Sequence, residues 1–154
     1  MKIARFIICL VISVYVIGCQ STFEDGYEMA EVAKKNIKEI TIDSLFQKID
    51  RYDSYLLIDI RQPEEFTEDN IPGSISIPRG ELEFKIMNES FWEELFLNTP
   101  EKTKDIIVYC NGGNRGALSA ETLQKLGFKN VYSIKGGLKA YNEKAKSPEL
   151  EQLK

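Results

Sequence analysis

The segment Tyr109-Cys110-Asn111-Gly112-Gly113-Asn114-Arg115-Gly116 carries the residue types and spacing that most clearly point to chemistry in this 154-residue chain. Glycines in the loop after a cysteine let successive backbone N–H groups turn toward one centre and form an anion-binding nest. A helix starting behind them adds the positive end of its dipole. A thiol held there is expected to ionise more readily, which makes Cys110 a candidate activated nucleophile. A free thiol with a pKa near 8.5 is only about 3% thiolate at pH 7, and lowering it by two units requires about 2.7 kcal/mol. A helix terminus usually supplies ~0.3–1 kcal/mol and rarely ~2, so the loop N–H groups and the Arg115 guanidinium would have to contribute the rest. Two nucleotide-binding readings fail on spacing. With Gly112 as the first glycine of a dinucleotide fingerprint, Asn114 stands where the second must be, and the Gly-Lys-Ser/Thr of a P-loop is absent. The bland alternative is a buried cysteine in a tight strand–helix connection, since free Cys is among the most buried residue types. The flanking glycines and arginine favour chemistry.

Composition narrows that chemistry. The chain has three cysteines and no histidine, with 20 Lys+Arg against 24 Asp+Glu. Without imidazole there is no Ser-His-Asp or Cys-His pair and no His-containing zinc site, so proton transfer falls to carboxylates, thiols, amines or phenols. A net charge of −4 argues against nucleic acid as a partner, because phosphate neutralisation needs a basic face. The length suits one domain with a core that needs no disulfide staples.

Lys2 and Arg5 precede an apolar run from Phe6 to Gly18, too short for a membrane span and matching the charged and apolar regions of an export signal. The sequence Val16-Ile17-Gly18-Cys19 resembles the lipobox of bacterial lipoproteins, which implies lipid attachment at Cys19 after removal of residues 1–18. An uncleaved signal anchor, or an ordinary signal peptide with an incidental cysteine, are the alternatives. Cleavage would leave 136 residues, take the net charge from −4 to −6 by removing Lys2 and Arg5, and discard Cys9. Cys110 would then be the one thiol besides the acylated Cys19, so neither a disulfide framework nor a CxxC motif is expected. The expected organisation is a lipid-attached tether over 19–38, a domain over 39–144 and a solvated tail over 145–154. The expected location is the extracytoplasmic, periplasmic face of a membrane.

The elements that would position the loop follow from periodicity. The tether is polar and partly helical across Met29–Ile37, and no chemistry is assigned to it. Glu39–Thr41 reads as a short strand, Ile42–Asp50 as a helix with Leu45, Phe46 and Ile49 on one face, and Tyr55–Ile60 as a strand buried on both faces. Gln62–Phe66 reads as a helical turn with proline at its first position, and Ile75–Ile77 as a strand after the Pro72-Gly73 turn. Gly80–Asn98 reads as a helix broken at the Ser90-x-x-Glu93 capping spacing, with Phe84, Met87, Phe91, Trp92, Leu95 and Phe96 in the core. Asp105–Tyr109 reads as a buried strand, Arg115–Leu126 as a helix closed by Gly127, Val131–Ile134 as a last strand, and the residues after Gly136-Gly137 as a helix ending near Lys144. Such alternation implies an α/β fold, a central parallel sheet with helices on both faces. Its functional site is expected beyond the carboxyl ends of the strands.

Cys110 with Gly113, Asn114 and Arg115 resembles the active-site loop of single-domain rhodaneses, sulfurtransferases that carry sulfur as a cysteine persulfide. Leu57–Phe66 is similar to that family's Asp-x-Arg…Glu-Phe segment, Ile71–Pro78 to its turn-and-strand signature, and Val131–Gly137 to its closing strand and Gly-Gly turn. Asn70 stands where the family usually has histidine, and Leu138 where it has an aromatic residue; both departures bear on packing. The resemblance implies a rhodanese-like fold and sulfur transfer from a donor such as thiosulfate to a thiol or cyanide acceptor, with no metal or organic cofactor. It implies Cys110 and Arg115 as catalytic residues and Asn111, Gly112, Gly113, Asn114 and Gly116 as the substrate-binding loop. Asp59, Arg61 and Glu65 are either helpers near the loop or a structural ion-pair network, with Arg61–Glu65 the expected pair and Asp59 the better helper. A phosphatase or arsenate reductase on the same fold would need Cys-x5-Arg, whereas Cys110 to Arg115 is Cys-x4-Arg. A non-catalytic persulfide carrier or partner-binding domain is the other alternative.

Overall fold

The computed structural model describes residues 22–146, so Cys9, Cys19, the export signal and positions 147–154 of the tail lie outside the described residues. In chain order the elements are α1 Gly26–Asn36, β1 Lys38–Ile40, α2 Ile42–Asp50, β2 Tyr55–Asp59, α3 Pro63–Glu68, β3 Ile75–Ser76, α4 Leu82–Lys85, α5 Glu89–Glu94, β4 Asp105–Tyr109, α6 Asn114–Lys125, β5 Asn130–Ile134 and α7 Gly137–Ala145. The five strands form one sheet in the order β1-β5-β4-β2-β3, and every pairing is parallel. This is the α/β architecture that the alternation of apolar runs implies.

Period-2 alternation along the buried strands divides the core in two. Ile106, Val108 and Cys110 face the side covered by Trp92, Ala120 and Leu123, whereas Ile107 and Tyr109 face the side covered by Leu45 and Leu138. Asp59 pairs with Tyr109 in register, so β2 and β4 end level and Cys110 emerges just beyond the carboxyl edge. Behind it, α6 closes in a Schellman turn: Gly127, at φ 91°, donates from its N–H to the Gln124 carbonyl at 2.9 Å, and the Phe128 N–H reaches the Leu123 carbonyl at 3.1 Å.

Two regions differ from the sequence expectation. Within the segment read as a tether, α1 is a capped helix whose Ala30 and Ala33 are buried, and it packs on α6. Between 80 and 98 the break falls earlier than Ser90: Asn88 caps α5, its side chain accepting from the Phe91 N–H at 3.2 Å. Because α4 and α5 are separate short helices, the apolar stripe expected of one helix does not carry across them. Trp92 is buried and Phe91 is half-buried, but Phe84 is 80% and Phe96 96% exposed, with Met87 and Leu95 also on the surface. The two family departures are accommodated in the packing: Leu138 is buried in the core, and the Asn70 side chain donates to the Phe66 carbonyl at 3.1 Å.

Candidate active site

Cys110, 2% exposed, sits where β4 ends and the glycine loop begins. The Gly113 N–H donates to its Sγ at 3.1 Å. Gly113 is also the N-cap of α6 and adopts φ 98°, a conformation that favours glycine and that turns the chain sharply enough for the helix to start above the sulfur.

The other side of the loop is held by α7. Two N–H groups of its first turn, those of Leu138 and Lys139, donate to the carbonyls of Cys110 at 2.8 Å and Asn111 at 3.0 Å. This contact requires glycine at 137, where φ is 60° and a Cβ would lie 2.1 Å from the Cys110 carbonyl oxygen. The peptides are trans, so drawing these carbonyls toward α7 turns the N–H groups of Asn111 and Gly112 away from it. Those two N–H groups, and those of Asn114, Arg115 and Gly116 in the first turn of α6, donate to no other group among the described residues. The arrangement is a nest plus a helix N-terminus around one sulfur atom, suited to an anion. Gly116 lets α6 lie close on the sheet: a Cβ there would be 2.7 Å from Ser133 Oγ.

Arg115 reaches across to α3 rather than lying free in the loop. Its Nη1 and Nη2 each donate to a Glu65 carboxylate oxygen at 2.9 Å, a two-point pair. Glu65, at the third position of α3, also accepts from the Gln62 N–H at 3.1 Å. The Glu65 carboxylate holds Arg115 above its ordinary pKa against the opposing effect of burial, and the Cys110 sulfur adds to the rise. Reciprocally, the guanidinium and the Gln62 N–H lower Glu65 from 4.5 to about 2 against desolvation. A depressed carboxylate stabilises the fold above its unfolded pKa, and that contribution is lost as pH falls through the folded value. Wild type is therefore expected to lose stability between pH 4.5 and about 2 more steeply than Glu65→Gln, read as urea midpoints at matched pH. Solvent screens this pair, whose side chains are 40% and 35% exposed, so the difference is expected to be modest. Identical slopes would reject the assignment.

The expected Arg61–Glu65 pair is thus replaced by two others. Arg61 pairs with Asp59, Nε and Nη2 meeting Oδ2 at 2.9 and 2.6 Å, and both residues are buried. Arg61 also donates to the Asp69 carbonyl. Asp59 is consequently engaged in tying β2 to the turn after α3, an ion-pair network rather than a free carboxylate at the loop. Tyr109 is likewise structural. Burial pushes its phenol up to about 12, and its hydroxyl accepts from the Ile71 N–H at 3.1 Å and lies 2.8 Å from Ser74 Oγ.

A pocket of roughly 530 Å³ opens over the sulfur, lined by Cys110, Arg115 and Leu118 on one side and by Asp25, Gly26 and Tyr27 on the other. Sequence reading assigned no chemistry to that second wall. The usable signal was Asp25-x-x-Glu28, the spacing of a helix start: Asp25 Oδ1 accepts from the N–H groups of Tyr27 and Glu28, each at 2.8 Å.

The model of one family, the rhodanese-like domain, matches residues 41–144. A Bacillus subtilis protein named "Putative sulfur carrier protein YrkF" is 33% identical over 119 residues, 77% of this chain, and the chain spans 58% of that protein's length. A Schizosaccharomyces pombe protein named "Putative thiosulfate sulfurtransferase, mitochondrial" is 33% identical over 96 residues, 61% of this chain and 68% of that one. Among solved structures, a Rhodopseudomonas palustris protein of unknown function, described as a "Possible Tyrosine Phosphatase", superposes with a TM-score of 0.67 at 32% identity, covering 82% of this chain and 95% of that one.

Proposed function

This chain belongs to the rhodanese-like domain family, and on that premise we propose that it moves sulfane sulfur from an anionic donor such as thiosulfate to a thiol or cyanide acceptor through a persulfide on Cys110. The observation that carries this reading is the Gly113 N–H donating to Cys110 Sγ, inside a loop whose neighbouring N–H groups have no other partner among the described residues. In the first step the Cys110 thiolate attacks the outer sulfur of thiosulfate. The S–S bond of the donor breaks, sulfite leaves with the electron pair, and the cysteine keeps an anionic terminal sulfur. In the second step an acceptor thiolate or cyanide attacks that terminal sulfur and restores the Cys110 thiolate, leaving a persulfide or thiocyanate. Charge is conserved in both steps, and neither needs an imidazole base. N–H groups of Asn111 to Gly116 suit the anionic sulfur, and Arg115, with Glu65 fixing its orientation, suits the sulfonate of the donor.

Intact mass after incubation with thiosulfate tests the reading: a gain of about 32 Da, one sulfur, is the covalent intermediate expected. No gain with thiosulfate or any other sulfane donor would reject it. The phosphatase description of the Rhodopseudomonas palustris neighbour supports a second reading, in which the same loop holds a phosphoryl group. Release of nitrophenolate from para-nitrophenyl phosphate in a Cys110-dependent manner would favour it. The Cys-x4-Arg spacing and the engagement of Arg115 by Glu65 favour sulfur. A pure carrier would take up sulfur but not turn over with a small thiol.

We further propose that the protein is an exported lipoprotein acylated at Cys19, a reading supported by the lipobox-like Val16–Cys19. Five residues lie between Cys19 and Asp25, so at ~3.3–3.6 Å per residue step the chain can span at most about 22 Å from the attachment point to the pocket wall. Cys19→Ser is expected to move the protein from the detergent to the aqueous phase on phase partitioning. Unchanged partitioning would reject lipidation.

A further inference from the structure

We propose that the first turn of α1, through Asp25 and Tyr27, is a specificity-determining wall of the Cys110 pocket that favours an uncharged or cationic, partly apolar acceptor thiol over an anionic one. The identity of the incoming group as an acceptor rests on the sulfur-transfer reading; the wall itself rests on geometry.

Helix α1 lies outside the segment matched by the family model, yet it faces the reactive sulfur across the pocket. It is held in register with the loop rather than loosely attached. Ala30 and Ala33 are buried, α1 packs along α6, and Lys34 Nζ donates to Asn114 Oδ1 at 2.7 Å, joining the helix to the loop directly. The cap formed by Asp25 pins the backbone of Tyr27, while Tyr27 as a residue remains 73% exposed.

Charge and shape at this wall differ from those at the sulfur. Arg115, the cation lining the pocket, is matched by Glu65. Asp25 has no cationic partner among the described residues, and Glu24 and Glu28 stand beside it, the Glu28 carboxylate accepting from the Glu24 N–H at 2.8 Å. Three carboxylates outweigh the roughly half-unit positive charge of a helix N-terminus. A sulfur anion is therefore favoured deep in the nest, whereas a group entering past α1 meets net negative charge and the uncovered faces of Tyr27 and Leu118. An acceptor with an apolar body can cover the ring, and one carrying a carboxylate is repelled.

The transfer step is the attack of R–S⁻ on the terminal sulfur, breaking the S–S bond to Cys110 and releasing R–S–S⁻ with the thiolate restored. Its dependence on R is measured with the full chain loaded by thiosulfate and freed of sulfite, discharged by cysteamine, 2-mercaptoethanol, mercaptosuccinate or benzyl mercaptan. Asp25→Asn keeps the cap while removing the charge. It is expected to narrow the preference for cysteamine over the uncharged 2-mercaptoethanol by roughly threefold, the effect of one unit charge at ~6 Å in a water-like medium, and to narrow the preference over the doubly anionic mercaptosuccinate by more. Tyr27→Ala is expected to slow benzyl mercaptan severalfold and 2-mercaptoethanol much less. Unchanged ratios in both variants would overturn the wall. A second readout needs no sulfur transfer: alkylation of Cys110 by iodoacetate relative to iodoacetamide, resolved by peptide mass, should rise in Asp25→Asn. A shift there with no sulfur uptake by wild type would support the wall and reject the sulfur-transfer reading. Sulfur uptake with no shift in any ratio would do the reverse.

Discussion

Cys110→Ser is expected to take up no sulfur and to lower transfer from thiosulfate by roughly 10³-fold or more, the scale on which losing a covalent nucleophile is felt. Serine can occupy the same buried site, and its oxygen can accept the Gly113 N–H that now points at Sγ. It cannot replace the chemistry. Sulfur exchange proceeds by a thiolate attacking a sulfur atom, and an alcohol is not ionised at neutral pH in the way a thiol is. The variant should therefore keep a urea midpoint close to that of wild type while losing the gain of about 32 Da in intact mass, which separates loss of the nucleophile from loss of the fold. Retained sulfur uptake in Cys110→Ser would move the reactive thiol elsewhere in the chain, to Cys9 or Cys19, and would reject the site as drawn.

The second large effect is expected at a residue that touches no substrate. Gly137→Ala places a methyl carbon 2.1 Å from the Cys110 carbonyl oxygen and 2.7 Å from that of Asn111, at a φ of 60°. Overpacking typically costs ~1–3 kcal/mol, and the left-handed conformation about 1–2 more for a residue with a Cβ. The obstructing atoms are backbone, so they cannot swing aside as a side-chain tip could. Relief requires α7 and the cysteine loop to separate, which would break the bonds from the Leu138 and Lys139 N–H groups that orient the loop peptides. Both the urea midpoint and the rate of sulfur uptake should fall. Gly80→Ala is the control, since a Cβ there meets nothing within 4 Å, and its stability should stay within ~0.5 kcal/mol of wild type. A Gly137→Ala protein with the wild-type midpoint and uptake would show that α7 does not shape the loop.

How far these features could be read from the chain depends on how local they are. Asp105–Tyr109 was legible as a strand with the bounds it has, because four consecutive apolar or aromatic residues, Ile106 to Tyr109, leave little else for that segment to be. The glycine loop was legible as a nest because its conformational freedom is a property of residue type. The pairing of Glu65 was not. Arg61 and Arg115 are both cations, and the choice between them is made by where α3 lies relative to a loop fifty residues away. Phe84 and Phe96 misled because helical periodicity predicts a shared face only while one helix continues, and Asn88 restarts it. The α1 wall went unseen because a polar, charged sequence reads as solvated until its two buried alanines meet a partner surface.

By itself, the sequence determined which atom can react and what kind of surroundings it has: a thiol, glycine N–H groups, a nearby arginine and no imidazole, all fixed within eight consecutive residues by covalent connectivity. It also determined the alternating order of elements, through periodicities that need only a few neighbours to be expressed. Only the tertiary structure decided which carboxylate holds Arg115, which glycine admits α7 against the loop, and which helix walls the pocket. Those outcomes depend on separations of a few ångströms between segments 27 to 80 residues apart. Packing of the whole sheet and its two helical layers sets such distances, and no short stretch of sequence contains them.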